Sequence, residues 1–255
     1  MKKIVLRAED LSLSFGGLHA VDKVNFHIKE NQIVGLIGPN GAGKTSIFNL
    51  LTGVYPPNDG DILLDDNSIK GKKTYAINQM GIARTFQNIR LFKDMTVIDN
   101  VKTAMGHQMK YSLLSGVFRL PAYQTEERAV SKRAHELLQV VGLDENAHAL
   151  AKNLPYGQQR KLEIARALAS GPRVLLLDEP AAGMNPTETQ ELLETIQVIQ
   201  KKFALSVLLI EHDMNFVMGI CEYIFVLDYG RIIAAGEPEE IQGNPQVIAA
   251  YLGGA

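Results

Sequence analysis

Residues 38–45 have the sequence Gly38-Pro39-Asn40-Gly41-Ala42-Gly43-Lys44-Thr45, which matches the pattern G-x-x-x-x-G-K-[ST]. The apolar run 33–37 precedes it and is typical of a strand buried on both faces, and a helix is predicted from about Lys44 to Leu51. In this order of strand, loop and helix, glycines let backbone N–H groups turn around an anion, and the helix N-terminus adds favourable partial charge. The stretch therefore predicts a loop that binds phosphate groups.

The loop residues are predicted to bind a nucleotide. Lys44 is expected to neutralise the β- and γ-phosphate oxygens of ATP, and the hydroxyl of Thr45 is expected to coordinate Mg²⁺. The alternative is a glycine-rich turn with a structural role only. The predicted nucleotide-binding residues here are Gly38, Pro39, Asn40, Gly41, Ala42, Gly43, Lys44, Thr45 and Ser46.

A second candidate element lies where the apolar run 174–177 ends in Asp178-Glu179-Pro180. A buried strand of this kind delivers two adjacent carboxylates to the edge of a sheet. Asp178 is expected to bind Mg²⁺ and Glu179 to polarise the water that attacks ATP. A solvated acidic turn is the alternative, and the position of the pair after a phosphate loop and a helical segment favours the catalytic interpretation.

The order of predicted elements indicates an α/β fold. Alternating apolar and polar residues up to about residue 37 predict an antiparallel start, helical spacing dominates from about 97 to 142, and a parallel strand and helix pattern returns after Gly171-Pro172. We therefore expect a P-loop core with an antiparallel β subdomain and an inserted α-helical subdomain. The predicted division of the single domain 1–255 is 1–96 and 170–255 for the ATP-binding core, and about 97–169 for the helical subdomain.

Three further local patterns complete this interpretation. Thr187-Glu188-Thr189-Gln190 has the form of a capping box before a helix. The segment 111–120 is apolar and weakly charged, which is typical of a helical hairpin that packs on its own lobe or of a surface that docks on a partner. The residues after Arg231 predict the second strand of a closing hairpin and a short final helix.

Composition excludes several classes of function. The formal net charge of −2 provides no basic field for nucleic acid. The N-terminus becomes polar too early for a signal peptide, and no apolar run approaches the ~20 residues of a membrane-spanning helix. The chain has one cysteine, Cys221, so an internal disulfide is excluded. We therefore expect a cytoplasmic protein that reaches a membrane only through a partner.

These motifs together resemble those of the ABC ATPases over nearly the whole chain. The resemblance implies that Thr85-Phe86-Gln87 is the family's glutamine loop, in which Gln87 reaches toward Mg²⁺ and the attacking water. It also implies that residues 182–186 form a dimer-contacting loop, and that His212, in Ile210-Glu211-His212-Asp213, contacts the γ-phosphate. The implied catalytic residues are Glu179, His212 and Gln87, and the implied metal ligands are Thr45, Gln87 and Asp178.

Two further positions follow from the same resemblance. Phe15 matches the aromatic residue that stacks on adenine, with a hydrophobic plug as the alternative. The segment Leu154-Pro155-Tyr156-Gly157-Gln158 matches the family's signature, which contacts a nucleotide held by a second ATPase, but departs from its Leu-Ser-Gly-Gly-Gln. Pro155 has neither a hydroxyl nor an N–H, and Tyr156 replaces a glycine. Backbone N–H groups after Pro155 or the tyrosine hydroxyl are the candidates to replace the missing donor.

Within the ABC ATPases, the chain is most similar to the larger ATP-binding subunits of bacterial branched-chain amino acid importers. The similarity rests on Leu-Pro-Tyr-Gly-Gln-Gln-Arg, on the long helical insertion and on the tail from Gly236 to Gly253. It implies a head-to-tail pair with a second, unlike ATPase, two membrane permease subunits and, indirectly, a periplasmic binding protein. The implied location is the cytoplasmic face of the bacterial inner membrane.

Four alternatives remain open at this point. An importer of another small polar solute would use the same ATPase chemistry. A DNA-repair or chromosome ABC protein would carry a long coiled coil between the phosphate loop and the signature, and a translation factor would carry two such domains. A nucleotide-binding regulator would bind ATP without hydrolysing it. The presence of Glu179 and His212 argues against this alternative, and Pro155 argues mildly for it.

Overall fold

The computed structural model describes residues 2–106 and 121–252, which form two compact units. The first unit comprises the chain up to Gln87 together with the chain from Pro172 onward, and the second comprises Asn88–Gly171. The strands are β1 (Ile4–Phe15), β2 (Leu18–Lys29), β3 (Ile33–Ile37), β4 (Asp59–Leu64), β5 (Asn67–Ser68), β6 (Ile82–Arg84), β7 (Val174–Asp178), β8 (Ser206–Ile210), β9 (Tyr223–Asp228) and β10 (Arg231–Gly236). The helices are α1 (Lys44–Leu51), α2 (Thr74–Met80), α3 (Val97–Ala104), α4 (Pro121–Val140), α5 (Tyr156–Ala169), α6 (Pro186–Phe203), α7 (Met214–Ile220), α8 (Pro238–Gln242) and α9 (Pro245–Leu252).

The first unit is built on a six-stranded sheet in the order β10-β9-β3-β8-β7-β6. All neighbouring strands are parallel except β10, which closes the sheet as an antiparallel hairpin with β9. Every residue of β3, β7 and β8 is buried, as their continuous apolar sequences predict for strands covered on both faces. The predicted α/β core and closing hairpin are present.

A four-stranded antiparallel sheet, β2-β1-β4-β5, forms the rest of the β structure of this unit. Its two long strands pair as a hairpin through the turn after Phe15, and β4 pairs with the other edge of β1. Apolar side chains of both sheets and of α1 share one hydrophobic core. The sequence prediction of an antiparallel β subdomain is therefore correct.

The second unit contains α3, α4 and α5 and two short 3₁₀ turns, Asp144–Asn146 and Ala151–Asn153. Thr96 is the N-cap of helix α3, and its side chain accepts the N–H of Asp99. The segment 111–120, whose sequence is typical of a helical hairpin or of a docking surface, lies outside the described residues. Within residues 2–106 and 121–252, every helix is too short or too polar to span a membrane.

Two local predictions need correction. The capping box before α6 is formed by Asn185 and Glu188, whose side chains accept each other's backbone N–H, and not by Thr187 and Gln190. Pro186 fixes the first helical position, so the cap falls two residues before the predicted one. The tail also contains two helices, α8 and α9, where one was predicted, because Gly243 ends the first and Pro245 begins the second.

The corrected cap can be tested by stability. Asn185→Ala removes the side-chain acceptor of the Glu188 N–H, so the free energy of unfolding in urea should fall by about 1 kcal/mol. Thr187→Ala is the matched control, because Thr187 is exposed in the first turn of α6 and should change stability by less than ~0.5 kcal/mol. A larger loss for Thr187→Ala than for Asn185→Ala would restore the original assignment.

Candidate functional site

The phosphate loop leaves the carboxyl end of β3 and enters α1, as the sequence predicts. Gly38, Gly41 and Gly43 all have positive φ, which L side chains rarely adopt. A Cβ at Gly38 would lie 1.9 Å from the carbonyl oxygen of Leu227, and one at Gly43 would lie 2.4 Å from that of Ala20. These two glycines therefore allow the loop to pack closely on neighbouring backbone, whereas Gly41 faces open space.

Lys44 is buried inside the loop. Its ammonium donates hydrogen bonds to the carbonyl oxygens of Gly38 at 2.7 Å and Pro39 at 2.8 Å. Burial lowers the pKa of Lys44, and the nearby carboxylates of Glu179 and Asp178 act in the opposite direction. Two backbone carbonyls and two nearby carboxylates thus stabilise the Lys44 ammonium in a position with little contact to water. In such a position the ammonium can interact with phosphate oxygens more strongly than it could in water. Thr45, the next residue, is exposed.

Asp178 lies at the end of β7 and is almost completely buried. Its carboxylate accepts a 2.6 Å hydrogen bond from the Arg84 guanidinium, which also donates to the side-chain oxygen of Asn49 at 2.8 Å. The guanidinium carbon lies over two aromatic rings, 5.3 Å from the ring centroid of Phe48 and 5.0 Å from that of Phe86. Sequence reasoning missed Arg84, because a charged residue at the end of a three-residue strand gives no periodic signal; its position directly before Thr85-Phe86-Gln87 was the only indication.

Glu179 connects the two remaining predicted catalytic residues. Its Oε2 atom accepts a 2.8 Å hydrogen bond from the Gln87 amide and lies 3.9 Å from Nδ1 of His212. Glu179 has a φ of 46°, and a non-glycine residue in this region costs about 1–3 kcal/mol. These contacts bring Gln87, Glu179 and His212 together at the carboxyl edge of the sheet.

An open cleft of about 600 Å³ borders the phosphate loop. Besides Gly38–Ala42 and His212, its walls include Tyr229 in the β9–β10 turn and Tyr251 in α9. Burial raises the pKa of the Tyr251 hydroxyl, which is hydrogen-bonded to the Gly38 backbone. Neither tyrosine was selected from the sequence, since both lie far from the loop along the chain and in no nucleotide-binding pattern.

Phe15 lies at the end of β1 and is about half exposed. Its ring makes an edge-to-face contact with Tyr55, with centroids 5.2 Å apart. This pair presents aromatic surface to solvent, as a stacking platform for a base would require. Tyr55 is a second residue that the sequence did not indicate.

The signature segment lies in the second unit. Leu154 is buried, Pro155 is the N-cap of α5 without a side-chain cap bond, and Gly157 is buried in the first turn. The hydroxyl of Tyr156 accepts a 3.2 Å hydrogen bond from Arg160, whose guanidinium lies near the tyrosine ring. The Tyr156 hydroxyl thus lies toward Arg160, four residues further along α5.

Comparisons with known proteins agree with this geometry. The family model described as "ABC transporter" matches residues 21–182, from β2 through the phosphate loop to the residues after Glu179. The chain belongs to the ABC transporter family. A second model, "Branched-chain amino acid ATP-binding cassette transporter", matches residues 231–255. The resemblance to the ABC ATPases and the predicted fold class are confirmed, and the protein is an ATP-binding and ATP-hydrolysing transporter subunit.

Relatives of this ABC ATPase match it over its full length. It is 48% identical to the "High-affinity branched-chain amino acid transport ATP-binding protein LivG" of Salmonella typhimurium, with 100% of both chains covered. It is 47% identical to the corresponding BraF protein of Pseudomonas aeruginosa, with the same coverage. Among solved structures, the ADP conformation of the ATP-binding cassette MJ1267 is similar, with a TM-score of 0.85 and 29% identity over 98% of this chain and 99% of that one.

The buried position of Lys44 generates a binding prediction. Lys44→Ala should weaken ATP affinity by about tenfold to a hundredfold, the value of a lost charge-assisted hydrogen bond of roughly 1.5–3 kcal/mol. Isothermal titration with ATP measures this change. Lys70→Ala is the matched control, because its ammonium also donates to a backbone carbonyl, that of Gly60, on an exposed part of the β subdomain. Equal affinities in the Lys44 variant and the control would remove Lys44 from the nucleotide site.

Proposed function

We propose that this ABC ATPase energises an importer of branched-chain amino acids. The observation that carries the proposal is the 48% identity over complete chains to a protein named for that transport. The match of residues 231–255 to a tail model named for the same transporters supports it independently of the shared ATPase motifs. No residue of an ATPase contacts the transported solute, so the substrate is assigned through similarity.

The residues of the first unit supply the ATPase chemistry in this proposal. Lys44 and the loop N–H groups hold the phosphates, Glu179 orients and polarises the attacking water, and His212 contacts the γ-phosphate. Mg²⁺ would be held by Asp178, Thr45 and Gln87, whose carboxylate, hydroxyl and amide oxygens are the hard ligands that this ion prefers. The ion would neutralise phosphate charge. The Arg84 bond to Asp178 suits this role, because it orients the buried carboxylate.

The proposed assembly is a head-to-tail pair with a second, unlike ABC ATPase. The second unit serves as the helical subdomain that presents residues 154–158 to the nucleotide of that partner. Two permease subunits hold the pair at the cytoplasmic face of the inner membrane and receive the amino acid from a periplasmic binding protein. Nucleic acid has no part in this proposal.

Uptake measurements test the transport function. Cells that lack this chain should lose most high-affinity uptake of labelled leucine, isoleucine and valine and recover it with the wild-type gene, while lysine uptake stays unchanged. Unchanged uptake of all three amino acids with loss of another small solute would favour the alternative importer. Purification in mild detergent gives a second readout, because recovery of the chain without permeases would favour a soluble ABC ATPase.

The position of Glu179 generates a catalytic prediction. Glu179→Gln should lower the rate of ATP hydrolysis by about 10²–10⁴ while ATP affinity stays within a few fold, since a positioned base acts on the attacking water and not on the bound phosphates. Phosphate release and ATP titration on the same preparation separate the two effects. Near-wild-type phosphate release would exclude Glu179 as the base.

The unusual signature generates a prediction of asymmetry. Pro155 and Tyr156 face the partner's nucleotide in the proposed pair, whereas the nucleotide on Lys44 of this chain faces the partner's signature. A γ-phosphate hydrogen bond that is not replaced is worth roughly 1.5–3 kcal/mol, or about tenfold to a hundredfold in rate or occupancy. Lys44→Ala should therefore remove more ATP turnover than the equivalent change in an unlike partner with a regular signature.

Single-turnover hydrolysis in the reconstituted complex, with each phosphate loop disabled in turn, measures this asymmetry. The intact complex and a complex with both loops disabled set the upper and lower limits. Equal losses from the two single variants, or a functional homodimer of this chain alone, would contradict the prediction.

A further inference from the structure

Glu211 is a buried carboxylate to which the proposed chemistry gives no role. It directly follows β8 and precedes His212, and only 1% of its surface is exposed. Burial raises the pKa of its carboxyl, against the effect of the backbone N–H groups that donate to it. A buried acid needs hydrogen bonds to offset its desolvation, so its partners indicate what it holds in place.

The two carboxylate oxygens of Glu211 bind two different loops. Oε1 accepts a 2.9 Å hydrogen bond from the N–H of Ala181, in the loop after Glu179. Oε2 accepts the N–H of His212 at 3.0 Å and lies 3.5 Å from the N of Asp213. The side chain therefore bridges the loop that follows Glu179 to the loop that carries His212.

The backbone around Glu179 completes this bridge. The N–H of Glu179 donates to the carbonyl oxygen of Ile210 at 2.9 Å, and the N–H of Ala182 donates back to the carbonyl oxygen of Glu179 at 3.2 Å. Glu179 is thus held directly by the residue before Glu211 and, through Ala181, by Glu211 itself. Both ties join the backbone of the Glu179 loop to the segment that carries His212, whose Nδ1 atom lies 3.9 Å from the Glu179 carboxylate.

We propose that Glu211 is a positioning residue for ATP hydrolysis, which sets the relative position of Glu179 and His212 by binding one loop with each carboxylate oxygen. This inference rests on the proposed roles of Glu179 and His212. It requires a carboxylate at position 211, because an amide has one acceptor oxygen and an NH₂ group that cannot accept an N–H. A glutamine could therefore accept the hydrogen bond from only one of the two loops, whichever way its amide is oriented.

The test is Glu211→Gln, which changes one atom and leaves the volume almost unchanged. The kcat for ATP hydrolysis should fall by about tenfold to a hundredfold, comparable to the loss from misplacing a reacting group by about 1 Å. The Kd for ATP should stay within twofold, because Glu211 does not touch the phosphate loop in the hydrogen bonds described. Hydrogen exchange should become faster in one of the peptides that contain Ala181 and His212.

Glu222→Gln is the matched control. Glu222 also accepts a backbone N–H, that of Ile33, but at the amino end of β3, away from the phosphate loop. Its kcat should equal that of the wild type.

Glu211→Asp retains two acceptor oxygens on a shorter side chain. Its kcat should lie above that of Glu211→Gln and threefold or more below that of the wild type. Glu211→Asp is therefore the test variant if Glu211→Gln does not fold.

Three outcomes overturn the inference when the wild-type protein hydrolyses ATP. The first is wild-type kcat in a folded Glu211→Gln or, if that variant does not fold, in Glu211→Asp. The second is an equal loss of kcat in Glu222→Gln, and the third is a loss of ATP affinity that accounts for the lower activity. Absence of ATP hydrolysis in the wild-type protein would count against the proposed function instead. In that case hydrogen exchange tests the inference alone. Unchanged hydrogen exchange at both Ala181 and His212 in Glu211→Gln would overturn the bridging role.

Discussion

The site depends on the shared edge at which β3, β7 and β8 end. These neighbouring parallel strands are held in register by their ladder hydrogen bonds, so the residues that follow them emerge side by side. The phosphate loop follows β3, Asp178 ends β7 with Glu179 next, and Glu211 and His212 follow β8. A parallel sheet thus converts three distant segments into one cluster of charged groups.

That cluster is stable because each buried charge has a defined partner. The ammonium of Lys44 is held by two loop carbonyls, Asp178 by Arg84, and Glu211 by backbone N–H groups. Removing one partner of the buried Arg84–Asp178 ion pair would cost about 3–5 kcal/mol, so this carboxylate stays where the backbone sets it. By contrast, His212 and Thr45 are exposed. Exposure is required of groups that contact a nucleotide entering from solvent.

Backbone strain and close backbone packing also occur at this edge. Glu179 has a left-handed backbone, and the glycines at positions 38 and 43 allow backbone contacts that no side chain would permit. Such features persist only where the surrounding structure over-determines them. Here the surroundings are the hydrogen bond from the Glu179 N–H to Ile210, the last residue of β8, and the bond from Ala181 to Glu211. A buried acid with no assigned role in the ATPase chemistry thus contributes to the geometry.

The linear pattern predicted the fold class, and it placed residues 38–43 between a strand and a helix and Asp178 at the end of a strand. These features depend on residues that are neighbours along the chain. The sequence pattern misplaced the cap of α6 by two residues. Asn185 and Thr187 are both residue types that cap helices, and each has a Glu or Gln three residues later. Only the backbone at Pro186, the first helical residue, distinguishes them. Arg84 with Asp178, Gln87 with Glu179 and Glu211 with Ala181 could be found only in the tertiary structure. Their partners lie 94, 92 and 30 residues apart, and periodicity carries no information about contacts at such separations.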